Sequence, residues 1–326
     1  MPGHCRCTYL VVIERDRELA DDLRELAEYL STLSVAGCDV VIVDGSPGPE
    51  LERNQCILRW VGRHVAAQPK HRSFSGAIDV IRAALDVSSC DRIVVAERNV
   101  RYDAAAIDRV CELLDSHEVV EPQDYFEPQP WWSGIEAGRT LVHRGIDAAP
   151  DHAATFGIRT SYLRSLRGVD LAWSNGDDTV RRVSSLGAEV YSADDVFVRR
   201  LPPTLTDWLC ERPKQAEDDF DMPVKTMFFF ALLPLMVLLA IFGGVGLAGG
   251  AVGAMAFASI GLAIRGRGKA TELSPIRACL CAPLWLLERS VSVYWALFRK
   301  LRGSPAEVIR PSVAEAGSGA RAASGE

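Results

Sequence analysis

Two polar clusters stand where this chain could do chemistry, each directly after a short apolar run. Asp44-Gly45-Ser46 follows Cys38–Val43, and Glu97-Arg98-Asn99 follows Arg92–Ala96. Carboxylate, guanidinium and carboxamide groups bind polar ligands by charge and hydrogen bond. Two further pairs have the right chemistry in a different setting. Asp177 and Asp178 head a helical stretch that runs to Leu186, where carboxylates are favoured as caps. Arg212 and Lys214 lie just ahead of a long uncharged segment, where cations can contact anionic headgroups. Between these groups, Pro122–Trp132 is rich in Pro, Gln and aromatics and reads as a loop. Its rings either plug the membrane surface or form a platform for a sugar face or lipid chain.

The elements that position these groups follow from apolar patterning. Thr8–Ile13 reads as a buried strand, and Leu19, Leu23, Leu26, Leu30 and Leu33 recur at helical spacing in Arg17–Leu33. Cys38–Val43 is a second strand, stopped by the turn formers Asp44 to Gly48. Arg92–Ala96 is a third, Asp103–Leu114 a helix, and Val119–Val120 part of a short fourth strand. Strands alternating with helices predict an α/β fold with a mostly parallel sheet. Ligands of such sheets bind beyond the carboxyl ends of the strands, where both polar clusters fall.

The other large feature is a pair of nearly uncharged stretches, Thr226–Gly243 and Val245–Ile264. Each is about 18–20 residues, roughly what a helix needs to cross a ~30 Å hydrocarbon core. Gly243 and Gly244 are the residues that can turn between them. The mean hydropathy of the whole chain is only +0.06, because a charged N-terminal two-thirds averages against this hairpin. Lys225 precedes the first span while Arg265, Arg267 and Lys269 follow the second, so the positive-inside rule puts both ends in the cytoplasm. A multi-pass protein of the cell membrane, with its large domain on the cytoplasmic side, is expected. Pro275–Leu301 reads as an interfacial helix, with Trp285, Tyr294 and Trp295 suited to that depth; the other reading, a third crossing, would export Arg299, Lys300 and Arg302.

A net charge of −7 provides no basic face for nucleic acid, which is excluded as a partner. The nine cysteines have neither zinc spacing nor a disulfide framework, so a reducing compartment is expected. Gly244-x-Gly246-x-x-Gly249 matches a dinucleotide fingerprint, but no strand precedes it. Its small-residue spacing instead suits close packing of spans, either within the chain or in a homo-oligomer.

In order and spacing these segments resemble the family 2 glycosyltransferases, the membrane-associated kind with a GT-A catalytic domain, over residues 8–302. The carriers are Val11-Val12-Ile13 followed by a helix, Val41-Ile42-Val43-Asp44-Gly45-Ser46, and Ile93-Val94-Val95-Ala96 with its polar triplet and Val100-Arg101-Tyr102. Arg212-Pro213-Lys214-Gln215, ahead of the spans, completes the set. The resemblance implies a Rossmann-like nucleotide-diphospho-sugar transferase. Such an enzyme moves a sugar, with inversion, from a nucleotide-diphosphate donor to a lipid, lipid-linked or other membrane-delivered acceptor.

What the resemblance implies for single residues is uneven. Asp44 falls where the family binds the nucleotide base; an Asx turn is the other reading of the same residue. The family's cation-binding acidic triplet is here Glu97-Arg98-Asn99. Glu97 and Asn99 can ligate Mn²⁺ or Mg²⁺, and Arg98 lowers that affinity. Arg98 itself either pairs with the diphosphate in place of part of the cation or is a surface residue. The family's general base falls at Asn175 and Gly176, so Asp177 or Asp178 serves if the loop is shifted and otherwise caps the helix. In the last donor-binding signature Glu211 stands for Gln and Lys214 for Arg, so Lys214 can contact phosphate only without bidentate geometry, with Arg212 beside it; Glu14 stands where the family commonly has Pro.

These departures leave a second reading, a catalytically inactive relative that acts as a membrane scaffold or binds a sugar nucleotide. A nucleotidyltransferase is disfavoured because no Gly-rich, Lys/Arg-bearing phosphate loop is present. The expected division is a GT-A-like domain over 1–221, a two-helix transmembrane hairpin over 222–270, an interfacial amphipathic helix over 271–303 and a disordered tail over 304–326.

Overall fold

The structure is a computed structural model that describes residues 6–13, 20–46, 48–66, 85, 88, 90–146, 154–166, 176–268, 271 and 273–302. The tail expected as disordered lies outside the described residues, as do Glu14 and Asn175. Two compact units divide the chain: Met1–Pro202 with Met255–Pro283, and Pro203–Ala254 with Leu284–Glu326.

The first unit is α/β. Strands β1 (Thr8–Ile13), β2 (Asp39–Asp44) and β4 (Arg92–Glu97) are nearly continuous apolar runs because the sheet is covered on both faces. Side chains alternate between the two sides. Tyr9, Val11, Ile13, Val40, Ile42 and Val94 join helices α1 (Ala20–Val35) and α3 (Ala104–Leu113) in one core. Leu10, Val41, Val43, Ile93 and Val95 join Leu163 of α5 (Thr160–Ser165) and Val183 of α6 (Gly176–Ser185) in the other. Each such Val, Leu or Ile removed from water stabilises the fold by about 1.5–3 kcal/mol. The start of α3 is held by Asp103, whose carboxylate accepts the backbone N–H of Ala106 at 2.7 Å.

Helix α2 (Gly48–Leu58) leads to β3 (Arg63–Ala66), and the remaining strands are β5 (Val100–Arg101), β6 (Val119–Phe126), β7 (Thr155–Arg159) and β8 (Val190–Arg200). The order across the sheet is β3-β2-β1-β4-β7-β6-β8-β5. β1 to β4 are parallel and β6 is parallel to β8, but β7 runs against both neighbours and β5 against β8. The sheet is therefore mixed rather than mostly parallel. β7 and β8 lack the long apolar run that makes a strand visible in sequence.

A second correction concerns the stretch from Pro122, expected as a loop. It continues β6 to Phe126, with a register shift against β8 between Pro122 and Gln123. Proline has no N–H to give the ladder, and a bulge is where a strand tolerates it. Helix α4 (Ser133–Ile146) follows.

Helix α7 (Leu205–Asp218) runs through Pro213, and α8 (Pro223–Arg267) is the one described helix long and apolar enough to cross a membrane, with hydropathy 2.6 over its most apolar window. Gly244 (φ 79°, ψ 164°) breaks α8 where the sequence places a turn; only glycine adopts that φ without strain. Pro275–Leu301, expected as one helix, is two: α9 (Ile276–Leu280) and α10 (Ala282–Leu301). Along α10, Leu284, Leu287, Val291, Trp295 and Phe298 form an exposed apolar stripe while Trp285, Arg289, Val293 and Ala296 are buried. In the second unit Arg289 Nε lies 3.3 Å and Lys225 Nζ 3.0 Å from the buried carboxylate of Asp219.

Among the described cysteines Cys7, Cys38, Cys56, Cys111, Cys210, Cys279 and Cys281 are not disulfide-bonded. Cys90 is disulfide-bonded, against the expectation of thiols throughout, and its partner lies outside the described residues.

Candidate functional site

β1 pairs with β2 on one side and β4 on the other, so the chain reverses its direction of winding at β1. Ligands of open α/β sheets bind in the crevice at such a switch point, beyond the carboxyl ends of the strands. Asp44 is in register with Ile13, and Glu97 with Val12. The two acidic residues thus flank the end of β1, separated by two strand spacings or about 10 Å.

Asp44 is almost fully buried. Its Oδ1 accepts the backbone N–H of Ser46 at 2.8 Å, the Asx turn that shapes the loop. Its Oδ2 accepts Asn54 Nδ2 at 3.0 Å and lies 3.1 Å from His64 Nε2. Burial alone raises its pKa, but the bonds from His64, Ser46 and Asn54 outweigh that and hold it below the usual carboxylate range. Neither oxygen is idle: the carboxylate organises β2, α2 and β3 around the loop.

Glu97 ends β4, and Arg98-Asn99 form the turn to β5. The backbone of the turn is tied down, the carbonyl of Asn99 accepting Leu201 N–H at 2.8 Å and that of Arg98 accepting the Arg101 guanidinium. Asn99 Oδ1 is buried with no hydrogen-bond partner among the described residues. Arg200 was not foreseen. Its Nη2 donates to Glu97 Oε2 at 2.8 Å, its Nη1 to Asp124 Oδ2 at 3.2 Å, and its guanidinium lies 5.5 Å from the centre of the Phe126 ring. Pairing places it there, since Arg200 is in register with Val100 on one side and Phe126 on the other. Nearby Gln123 is buried with neither amide atom hydrogen-bonded among the described residues.

Among the described residues no group of three His, Cys, Asp or Glu converges as a metal would need. Glu97 and Asn99 contribute three side-chain oxygens at most, and one of the Glu97 oxygens already has a guanidinium partner. Protein groups alone, among the described residues, therefore do not make up a divalent-cation site.

The remaining sequence candidates lie elsewhere. Asp177 and Asp178 are in the first turn of α6, with their side chains outside the described residues. Arg212 belongs to the second unit and is buried, its Nε donating to Trp208 O at 3.4 Å and its guanidinium 4.6 Å from the Trp208 ring centre. Lys214 follows on the same helix, its side chain again outside the described residues.

No protein-family model matches the chain, and no curated protein does either. Among solved structures it is similar to a mannosyltransferase of Pyrobaculum calidifontis in complex with GDP-mannose and Mn²⁺, at 17% identity and a TM-score of 0.49, over 90% of this chain and 88% of that one. It is also similar to glucosyl-3-phosphoglycerate synthase of Mycobacterium tuberculosis in complex with Mn²⁺ and UDP-glucose, at 16% identity and a TM-score of 0.43, over 65% of this chain and 77% of that one.

Proposed function

We propose that the chain is a membrane-anchored glycosyltransferase of the GT-A type, moving a sugar from a nucleotide-diphosphate donor to a membrane-delivered acceptor with inversion. The observation that supports it best is the placement of Asp44 and Glu97 on either side of the end of β1, at the switch point of the sheet. In this reading the loop shaped by Asp44 receives the nucleoside. The turn Glu97-Arg98-Asn99 faces the diphosphate, and Arg98 and Arg200 supply positive charge to the leaving group, which builds up negative charge as the glycosidic bond breaks. Arg212 and Lys214 are proposed as further phosphate contacts, as the resemblance implies. Asp177 or Asp178 is the base that takes the proton of an attacking hydroxyl.

The exposed apolar surface of α8 and the apolar stripe of α10 support the membrane part of the reading. The proposed arrangement has α8 crossing twice about Gly244, α10 lying on the surface and the catalytic domain in the cytoplasm.

The test is calorimetric titration of the detergent-purified full chain with UDP-, GDP- and dTDP-sugars, with Mn²⁺ and then with a chelator. Binding of at least one donor is expected, and binding that survives chelation assigns the diphosphate to arginine. No binding under either condition, from protein shown to be folded, sinks the transferase reading.

A further inference from the structure

Next to the Glu97–Arg200–Asp124 chain, the first unit holds a cavity of about 370 Å³, within the range of roughly 300–1,000 Å³ typical of small-molecule sites. One face of α4, the end of β6 with the loop after it, and the segment Leu273–Cys281 enclose it. Tyr125, Phe126, Leu141, Leu273, Pro275 and Ala278 make its walls largely apolar. Trp131 stands exposed at the rim, in edge contact with Trp132.

The polar group that matters is Arg144. Its Nη2 donates to the backbone oxygen of Asp124 at 3.2 Å, and its guanidinium sits 5.7 Å from the Phe197 ring centre. Its Nε is buried without a hydrogen-bond partner, and no carboxylate lies within ion-pair distance of it among the described residues. Asp124, the nearest anion, is engaged by Arg200. Burial holds Arg144 below the usual guanidinium range, with Asp124 opposing the shift. A cation drawn out of water without an anion is costly, and a bound anion relieves that cost. Arg277 adds a second cation at the exposed edge, donating to Gln129 Oε1 at 3.4 Å.

A helix apolar and long enough to cross a membrane also lies against α4. The end of α8 packs on α4 so closely that a Cβ on Gly145 would sit 2.1 Å from Leu262 O, and one on Gly266 1.9 Å from Leu141 O. The cavity therefore borders the apolar helix through α4, which both share. A buried cation, apolar walls and a neighbouring lipid-compatible helix together describe one kind of ligand.

We propose that this cavity binds a phosphate-headed amphiphile, its phosphate on Arg144 and the first part of its chain along the apolar walls. The proposal deepens the glycosyltransferase reading, on which this amphiphile is the acceptor. Its binding is measured without turnover, so that failure here and failure of that reading are told apart.

The experiment uses the full chain in phosphatidylcholine nanodiscs and a diazirine-bearing dodecyl phosphate, with adducts mapped by mass spectrometry. Adducts are expected within Tyr125–Leu141 and Leu273–Cys281, suppressed by unlabelled dodecyl phosphate but not by dodecanol or inorganic phosphate at equal concentration. Arg144→Gln should cut labelling roughly tenfold, the loss of a charge-assisted contact. Ala137→Phe should cut it too by narrowing the cavity with Arg144 in place, and should leave nucleotide-sugar binding unchanged. Melting curves check that both variants are folded. Equal competition by dodecanol would reduce the site to a greasy cleft, and equal competition by inorganic phosphate would make it a free-anion site. Either result, adducts confined to other segments, or wild-type labelling of both variants overturns the proposal.

Discussion

Replacing Arg200 by Gln should convert a site neutralised by arginine into one that calls for a metal ion. The guanidinium now bridges Glu97, whose side chain is 42% exposed, and Asp124, at 18%. A hydrogen bond to a buried charged group contributes about 1.5–3 kcal/mol, and an exposed one under about 1 kcal/mol, so the substitution costs roughly 2–3 kcal/mol of stability. For a unit of this size that is a fall in Tm of about 5–10 °C. The functional effect has a sign. Without Arg200 two carboxylates face the crevice with less positive charge between them, which repels a diphosphate and attracts a cation. A penalty of roughly 2 kcal/mol weakens donor binding about 30-fold in the presence of a chelator. Mn²⁺ should recover most of that loss in the variant while changing the wild type little. Calorimetry of the donor that binds best, with and without chelator, measures all four affinities. If the variant binds like the wild type under chelation, or if chelation abolishes wild-type binding altogether, Arg200 does not stand in for a cation.

Asp44→Asn should cost about 1–3 kcal/mol, by weakening buried charge-assisted hydrogen bonds. Because the folded pKa of Asp44 is depressed, its contribution is fully present above the unfolded value of about 3.9 and is lost as pH falls through the folded value. The stability gap between wild type and variant, read by urea titration, should therefore close on acidification below about pH 4. Asp219→Ala leaves Arg289 buried without its carboxylate and should cost about 3–5 kcal/mol. Adding Arg289→Met should recover much of this; a double variant no more stable than the single in detergent melts would count against the buried pair. Gly266→Ala drives a methyl group into the Leu141 carbonyl and should cost about 1–3 kcal/mol. A comparable loss is expected for Gly145→Ala, against no effect for Gly253→Ala, whose Cβ meets nothing.

The parts of the fold legible in sequence are those where burial on both faces writes a run of apolar residues, as in Thr8–Ile13, Asp39–Asp44 and Arg92–Glu97. Turn formers after the second run located Asp44 at a strand end, and the periodicity of Leu23, Leu26, Leu30 and Leu33 located α1. What stayed hidden depends on pairing across long separations. Val190–Arg200 is half-polar and shows its strand character only beside β6 and β5. Arg200 therefore gave no local sign that it would meet Glu97. The partners of Asp44 are similar cases, because Asn54 and His64 are ordinary polar residues until α2 and β3 fold back over the loop. Arg144, near the end of an amphipathic helix, is indistinguishable in sequence from a solvated cation. Only the arrangement of β6, α4 and Leu273–Cys281 takes it out of water.

The buried contact between Asp219 and Arg289 also sets an order of events during synthesis. Asp219 leaves the ribosome before α8, and Arg289 only after it, so the carboxylate cannot meet this guanidinium until the whole apolar segment has been made. Until then Lys225, six residues on in the chain, is the cation at hand. Any ribosome stall or truncation between Arg267 and Leu284 would leave this carboxylate without Arg289 beside a long apolar helix. The pair can close only in a chain that has been translated past Arg289.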